Sequence, residues 1–217
     1  MDISYFGHSL FRLRGKSATL LTDPFDPEMV GLKYPRLEAD IVTVSHQHED
    51  HNFLERVYGY KIVISAPGEY EVSGVTIIGI SSYHDENRGE KRGKNNIYII
   101  EMDDLRLAHL GDIGHTLSEK LVEQIGDIDI LFLPVGGFYT INPRQAASEI
   151  VQSIEPSVII PMHYKLPGMK DDIFGKILPV EEFLKEVGLN VEKTEKYVVK
   201  KEDLGEEQKL VLLSTKA

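Results

Sequence analysis

The sequence predicts an α+β fold in which two β-sheets pack face to face and helices cover their outer faces. Three observations carry this expectation. The first half of the chain is a series of short β-compatible runs, the second half alternates helix with strand, and neither a linker nor an internal repeat divides them. The chain is therefore expected to form a single domain over residues 1–217.

Taken in order, Ile3–Phe6, Leu10–Leu13 and Ala18–Leu21 are β-compatible runs separated at Gly7 and Gly15. A loop rich in Pro and Gly follows from Asp23-Pro24 to Pro35. Ile41-Val42-Thr43-Val44 reads as a buried strand that leads directly into a histidine cluster. Further strands are expected at Lys61–Ser65, Val75–Ile80, Ile97–Met102 and Leu105–Leu110, the last two joined by a tight turn at Asp103-Asp104. Ser118–Ile125 reads as a helix capped by Ser118, and Pro143–Ile154 as a helix with Asn142 as cap and Pro at its first position. Strands at Ile130–Leu133 and Val158–Ile160, a helix at Val180–Val187, and strands at Tyr197–Lys200 and Lys209–Leu213 complete the pattern. The charged stretch Glu86–Lys94, interrupted by two glycines, reads as a mobile loop.

Composition narrows the function. A chain of 217 residues can bury one sizeable core. Its net charge of −11 argues against nucleic acid held through a basic surface, although a bound metal would reverse the sign locally for an anionic substrate. Cysteine is absent, which removes disulfides, thiolate nucleophiles and Cys-based metal sites together. The N-terminal residues do not read as a signal peptide, and no apolar run is long enough to span a bilayer, so a cytoplasmic protein is expected.

The strongest feature is Ser45-His46-Gln47-His48-Glu49-Asp50-His51. In extended chain, residues two apart project to the same side, so His46 and His48 can reach one point. Asp50 and His51 follow a turn expected to open the next helix, from which they can address a second point. Neutral imidazoles and carboxylates without thiolates suit Zn2+, with Mn2+ or Fe2+ also admissible. Three histidines and an aspartate within six residues, directly after a buried strand, favour a metal site over a polar surface loop.

The pattern His-x-His-x-Asp-His after an apolar strand resembles the metallo-β-lactamase superfamily, and the resemblance extends along nearly the whole chain. Asp23 in Leu21-Thr22-Asp23-Pro24, His84 in Ser82-Tyr83-His84, Asp112 in Leu110-Gly111-Asp112 and His163 in Pro161-Met162-His163-Tyr164 match the later motifs in order and spacing. Gly7-His8-Ser9 and the Pro161–Tyr164 segment look most like the small single-domain branch that includes sugar-lactonase-like proteins. The resemblance implies a four-layer αββα sandwich with a binuclear site at one edge of the sheets. It also implies that His46, His48 and His84 hold one metal and that Asp50, His51 and His163 hold the other, with Asp112 bridging. Flavodiiron-type relatives usually carry a carboxylate in place of His48, and cap-bearing nucleases need more chain than separates Asp112 from His163. A compact hydrolase is the remaining reading.

Taken alone, the later residues have plainer explanations: His84 as a solvated loop histidine, Asp112 as a turn residue, His163 as an interior histidine. The cluster tips all three towards ligation. Asp23 is expected to brace a ligand or to cap the turn at Pro24. His8 either lines the pocket or makes a structural hydrogen bond, His109 is structural, and His115 is close enough in sequence to face the site and is a candidate to support a ligand. Tyr139, in Gly136–Thr140, is either a donor to substrate or part of a packed turn, and Lys165 either attracts an anion or serves solubility. Val30–Tyr34, Glu86–Lys94 and Leu166–Ile173 are the expected specificity loops.

Two metals would lower the pKa of a shared water to roughly 7 and yield a hydroxide nucleophile, with Asp50 orienting it and moving its proton. The expected activity is hydrolysis of a small ester-like substrate, a lactone or a phosphorylated metabolite. Phosphodiester hydrolysis and metal binding without turnover are the alternatives.

Overall fold

A computed structural model describes residues 1–205 and 207–216. The first sheet starts as an antiparallel meander of Asp2–Gly7, Leu10–Arg14 and Thr19–Thr22. Ile41–Thr43 and then Ile62–Ile64 add to it in parallel, while Tyr197–Val198 closes the opposite edge. The second sheet has eight strands. Gly68–Val72, Val75–Tyr83, Lys94–Met102 and Leu105–His109 form an antiparallel series. Ile130–Pro134, Val158–Met162, Lys209–Leu213 and Val191–Thr194 then extend it in parallel.

Local chemistry explains this division. Asp103 and Asp104 both have positive φ, 54° and 66°, the backbone that a two-residue hairpin turn requires. Parallel neighbours instead need a crossover, and helices supply it. Glu119–Ile125 is capped by Ser118, whose side chain accepts from the Leu121 amide. The helical run from Pro143 to Ile154 is capped by Asn142 and carries a π-helical stretch at Ala146–Val151. Val180–Val187 is the third helix expected from the sequence.

Alternation along the strands of the first sheet feeds two cores. Leu20 and Ile41 point towards the second sheet and join Ile99, Leu107, Phe132 and Ile160 in the main core. Phe11 bridges the sheets, its ring 4.7 Å from Tyr5 and 4.5 Å from Phe132. Leu21 and Val42, one residue along, point the other way and pack beneath Val30, Tyr34, Met169 and Phe174. That outer layer rests on two four-residue helices, Pro27–Val30 and Asp171–Phe174, rather than on long ones. The outer face of the second sheet is covered by Leu121, Ile125, Ile150, Val151 and Phe183 of the crossover helices. The result is the αββα sandwich. Among the described residues, no helix is long and apolar enough to cross a membrane.

Three expectations need correction. No helix opens after His51. The chain turns through Glu49–His51 and makes only a single 3-10 turn at Leu54–Arg56, because Val57 and Tyr58 directly after it are drawn into parallel pairing with Leu37 and Glu38. Glu86–Lys94 is a structured loop whose last residue already begins a strand. The buried carboxylate of Asp85 accepts backbone hydrogen bonds from Asn87 (2.8 Å), Gly89 (3.1 Å), Lys91 (3.0 Å) and Arg92 (2.8 Å). The edge strands Gly68–Val72 and Val191–Thr194 were not expected. Their largely polar, solvent-facing residues carry little apolar alternation to reveal them.

Candidate metal centre and cavity

The seven candidate side chains belong to segments that leave carboxyl ends of strands along one edge of the sandwich. His46 to His51 follow Ile41–Thr43, His84 follows Val75–Tyr83, Asp112 lies beyond Leu105–His109, and His163 follows Val158–Met162. This is where ligand sites gather when parallel strands end together. Two further residues arrive from the first sheet, His8 after Asp2–Gly7 and Asp23 after Thr19–Thr22. His8, Asp23 and His163 all take left-handed backbone, with φ of 55°, 39° and 50°. Strain of this kind at a site is held in place by the surrounding structure. Gly136 shows how tightly: a Cβ there would lie 2.2 Å from the His163 carbonyl oxygen.

The side chains form two linked groups. Ligand atoms of His46, His48 and His84 all lie within 4.8 Å of one another, and those of His8, Asp50, His51 and His163 do the same. Asp112 joins them. Its Oδ2 is 3.2 Å from His51 Nε2, 3.3 Å from His84 Nε2 and 3.0 Å from His163 Nε2. All seven candidates therefore converge, and His8 arrives with them.

The tautomers are set from outside. Asp23 is fully buried, and its carboxylate accepts from the Ser45 amide (2.7 Å), from Ser45 Oγ (2.6 Å) and from His51 Nδ1 (2.9 Å). With its proton committed to Asp23, Ser45 Oγ accepts from His46 Nδ1 at 2.9 Å. One carboxylate thus keeps the Nδ1 proton on both imidazoles and turns both Nε2 atoms inward, where a cation would take the place of any proton on His51 Nε2. Behind Asp112, Asn95 accepts from its amide at 2.9 Å while donating to Ser82 Oγ and the Leu110 carbonyl.

The electrostatics match. Burial, together with the nearby His51, pushes the His46 imidazole well below its ordinary range, so it is neutral. Burial and the neighbouring His163 likewise push His8 down to about 4. Burial alone would raise the Asp112 carboxyl, but the imidazoles of His163 and His51 outweigh it and hold the group well below the usual carboxylate range. His51 is held well above its ordinary value: burial opposes this, and the carboxylates of Asp112 and Asp50 prevail.

These residues fit bound metal on the evidence of their own unfilled valences. His46 Nε2, His163 Nε2 and Asp112 Oδ1 are buried and make no hydrogen bond. His163 Nε2 is close to Asp112 Oδ2 yet not aligned to bond it. Buried polar atoms rarely stay unpartnered, and here they face a common space lined by carboxylates that call for positive charge.

The remaining candidates fall away from the cluster. His109 lies near the Ser9 carbonyl and accepts from the Gly111 amide, a structural role. His115 Nε2 accepts from the Tyr83 amide at 3.3 Å and so braces the strand end that carries His84. Tyr139 donates its hydroxyl to the Ile173 carbonyl at 2.8 Å and has no proton left for a substrate. Lys165 is engaged by the Met169 carbonyl and Asp171. Sequence reasoning underweighted His8 and missed Ser45 and Asn95. Only Ser45, adjacent to the His motif, carried a local signal.

A cavity of about 470 Å³ opens over the cluster. His48, Asp50, His84 and Asp112 form its floor, with Met29, Tyr139, Ile173 and Phe174 on an apolar wall and Lys91 and Arg92 at the side. Two of the three expected specificity loops contribute, through Lys91 and Arg92 and through Ile173. In place of Val30–Tyr34, the neighbouring Met29 reaches the cavity.

Residues 2–163 match the β-lactamase superfamily domain. The chain belongs to the metallo-β-lactamase superfamily and, within it, to the UPF0173 metal-dependent hydrolase family. A member from Thermococcus onnurineus is 30% identical over 87% of this chain and 92% of its own length. One from Pyrococcus horikoshii is 30% identical over 97% of this chain and its full length. The crystal structure of a candidate Zn-dependent hydrolase of the superfamily from Thermotoga maritima is 38% identical, covers 99% of both chains and superposes with a TM-score of 0.80.

Proposed function

We propose that this chain is a hydrolase with a binuclear metal centre, acting in the cytoplasm on a small ester-like substrate such as a lactone or a phosphorylated metabolite, from a single domain spanning residues 1–217. The observation that carries the reading is the pair of imidazole and carboxylate groups joined through Asp112, several of whose buried atoms lack any partner. His46, His48 and His84 would hold one cation, and Asp50, His51 and His163 the other, with Asp112 shared. Zinc suits a nitrogen and oxygen donor set without thiolate, and the Thermotoga maritima relative is itself described in terms of zinc. Two such cations, when bound, lower the pKa of a water to about 7 and polarise a carbonyl or phosphoryl oxygen.

The chain's own residues do the rest. Asp50 has its Oδ2 3.1 Å from His8 Nε2, which fixes the carboxylate at the floor of the cavity. It is the group placed to orient a water and take its proton. The apolar wall of Met29, Tyr139, Ile173 and Phe174 offers a surface for the apolar part of a substrate.

The test is to reconstitute the protein with Zn2+ or Mn2+, count metal per chain, and assay lactones, aryl esters and bis-(p-nitrophenyl) phosphate. Two metals per chain and hydrolysis of a lactone or ester, abolished in Asp50→Asn and His48→Ala, are expected. Turnover of the phosphodiester alone would move the protein to phosphodiester chemistry. Full metal loading with no turnover on any substrate would leave a metal-binding protein and end the hydrolase reading.

A further inference from the structure

The cavity over the metal cluster contains a charge that bond cleavage does not need. Arg92 is half-buried and, among the described residues, its guanidinium forms no ion pair, although the chain carries an excess of 11 negative charges. Such a group usually finds a carboxylate; this one stacks instead. Its Cζ lies 5.5 Å from the centre of the Tyr139 ring and 5.9 Å from that of Phe138. Tyr139 is fixed in turn by its hydroxyl bond to the Ile173 carbonyl. The guanidinium is thus held over aromatic faces while its N–H groups stay free for a ligand.

The backbone beneath it is equally ordered. The Arg92 amide and three others bond the buried carboxylate of Asp85, the residue next to His84. The loop bearing Arg92 is therefore anchored immediately beside the proposed metal floor. Lys91 adds a second, exposed cation at the same side of the cavity. The carboxylates in the cavity, Asp50 and Asp112, face the metal cluster, and Glu49 is exposed.

We infer that the substrate carries a second, anionic group, a carboxylate or phosphate, apart from the bond that is cleaved, and that Arg92 is the specificity-determining residue that binds it. This rests on the hydrolase reading for the word substrate, while anion binding by Arg92 stands or falls separately. A planar guanidinium on a fixed stem pairs with two oxygens of such a group at once.

The test measures binding, not turnover. Zinc-loaded protein is titrated calorimetrically with α,ω-dicarboxylates from succinate to pimelate and with monocarboxylates of the same lengths. A carboxylate on the metals is common to both series, so the difference reports the second anion. At least one dicarboxylate should bind about tenfold or more tightly than its monocarboxylate partner, as one charge-assisted pair supplies. Arg92→Gln, which keeps much of the stem but not the charge, should abolish that advantage, and Arg92→Lys should keep part of it, both at unchanged zinc content. No dicarboxylate advantage, or an equal advantage in Arg92→Gln, overturns the inference. A dicarboxylate advantage lost in Arg92→Gln, in a protein that hydrolyses no ester, supports the anion site and ends the hydrolase reading instead.

Discussion

Replacing Asp23 by Asn tests how far a carboxylate that touches no cavity controls the metal centre. The substitution suits the backbone, since φ of 39° is left-handed and Asn accepts that region nearly as well as Asp. What changes is hydrogen bonding. The carboxylate receives three donors, from the Ser45 amide, Ser45 Oγ and His51 Nδ1, at 2.7, 2.6 and 2.9 Å. An amide oxygen can keep the Ser45 backbone bond, and Ser45 can rotate its hydroxyl to accept from the new NH2. His51 Nδ1–H is then left facing a donor inside the protein. Either that proton stays unpartnered, or the ring gives it up and keeps its remaining proton on Nε2, facing the proposed metal position. One lost charge-assisted bond and one unsatisfied buried donor together cost about 2–4 kcal/mol, a large part of a typical total of about 5–15 kcal/mol. Loss of such an outer partner should also weaken zinc binding about 10–100-fold. Urea unfolding of the metal-free protein reads the first quantity, and competition with a chromogenic chelator reads the second. A variant within about 1 kcal/mol of the parent in stability, with zinc affinity changed less than about threefold, would refute this account of Asp23.

Two further outcomes follow from the same geometry. Gly136→Ala should lower both stability and zinc retention, because the added methyl would lie 2.2 Å from the His163 carbonyl oxygen, with Tyr164 Cα at 3.1 Å behind it, and backbone cannot step aside as a side chain can. Overpacking of this kind costs about 1–3 kcal/mol, and an unchanged urea midpoint together with unchanged zinc content would show that the strand end moves freely. The metal-free protein should be most stable near pH 6.5, the ordinary imidazole value. Below it, the unfolded chain takes up protons that buried His8 and His46 refuse, so stability falls as pH drops towards the His8 value of about 4. Above it, folded His51 retains a proton that the unfolded chain has lost, so stability falls again as pH rises. Urea midpoints from pH 5 to 8.5 check this, and a midpoint that climbs steadily to 8.5 contradicts it.

Much of the architecture was legible residue by residue, because its signals are local. Ser118, Asn142 and Pro143 mark helix starts through contacts three residues long. Asp103-Asp104 marks a hairpin by its own backbone, and the unbroken apolar pairs Leu20-Leu21 and Ile41-Val42 mark strands buried on both faces. The run His46 to His51 announced itself in the same way, since four donor-bearing side chains lie within six residues. Assigning His84, Asp112 and His163 to the same centre needed the family pattern, because each is commonplace alone.

Tertiary structure decided what depends on partners far apart in sequence. His8 enters the cluster only because the first strand ends beside Asp50 and His51, more than forty residues later. Tyr139 and Lys165 lose their apparent freedom to Ile173, Met169 and Asp171, which fold back over them. Glu86–Lys94 has the composition of a flexible loop, yet one buried carboxylate holds four of its amides. Composition and spacing record what a residue can do within a few positions of itself. Which donor meets which acceptor across the sandwich is a property of the packed chain, and that pairing settles tautomer, charge and the shape of the cavity.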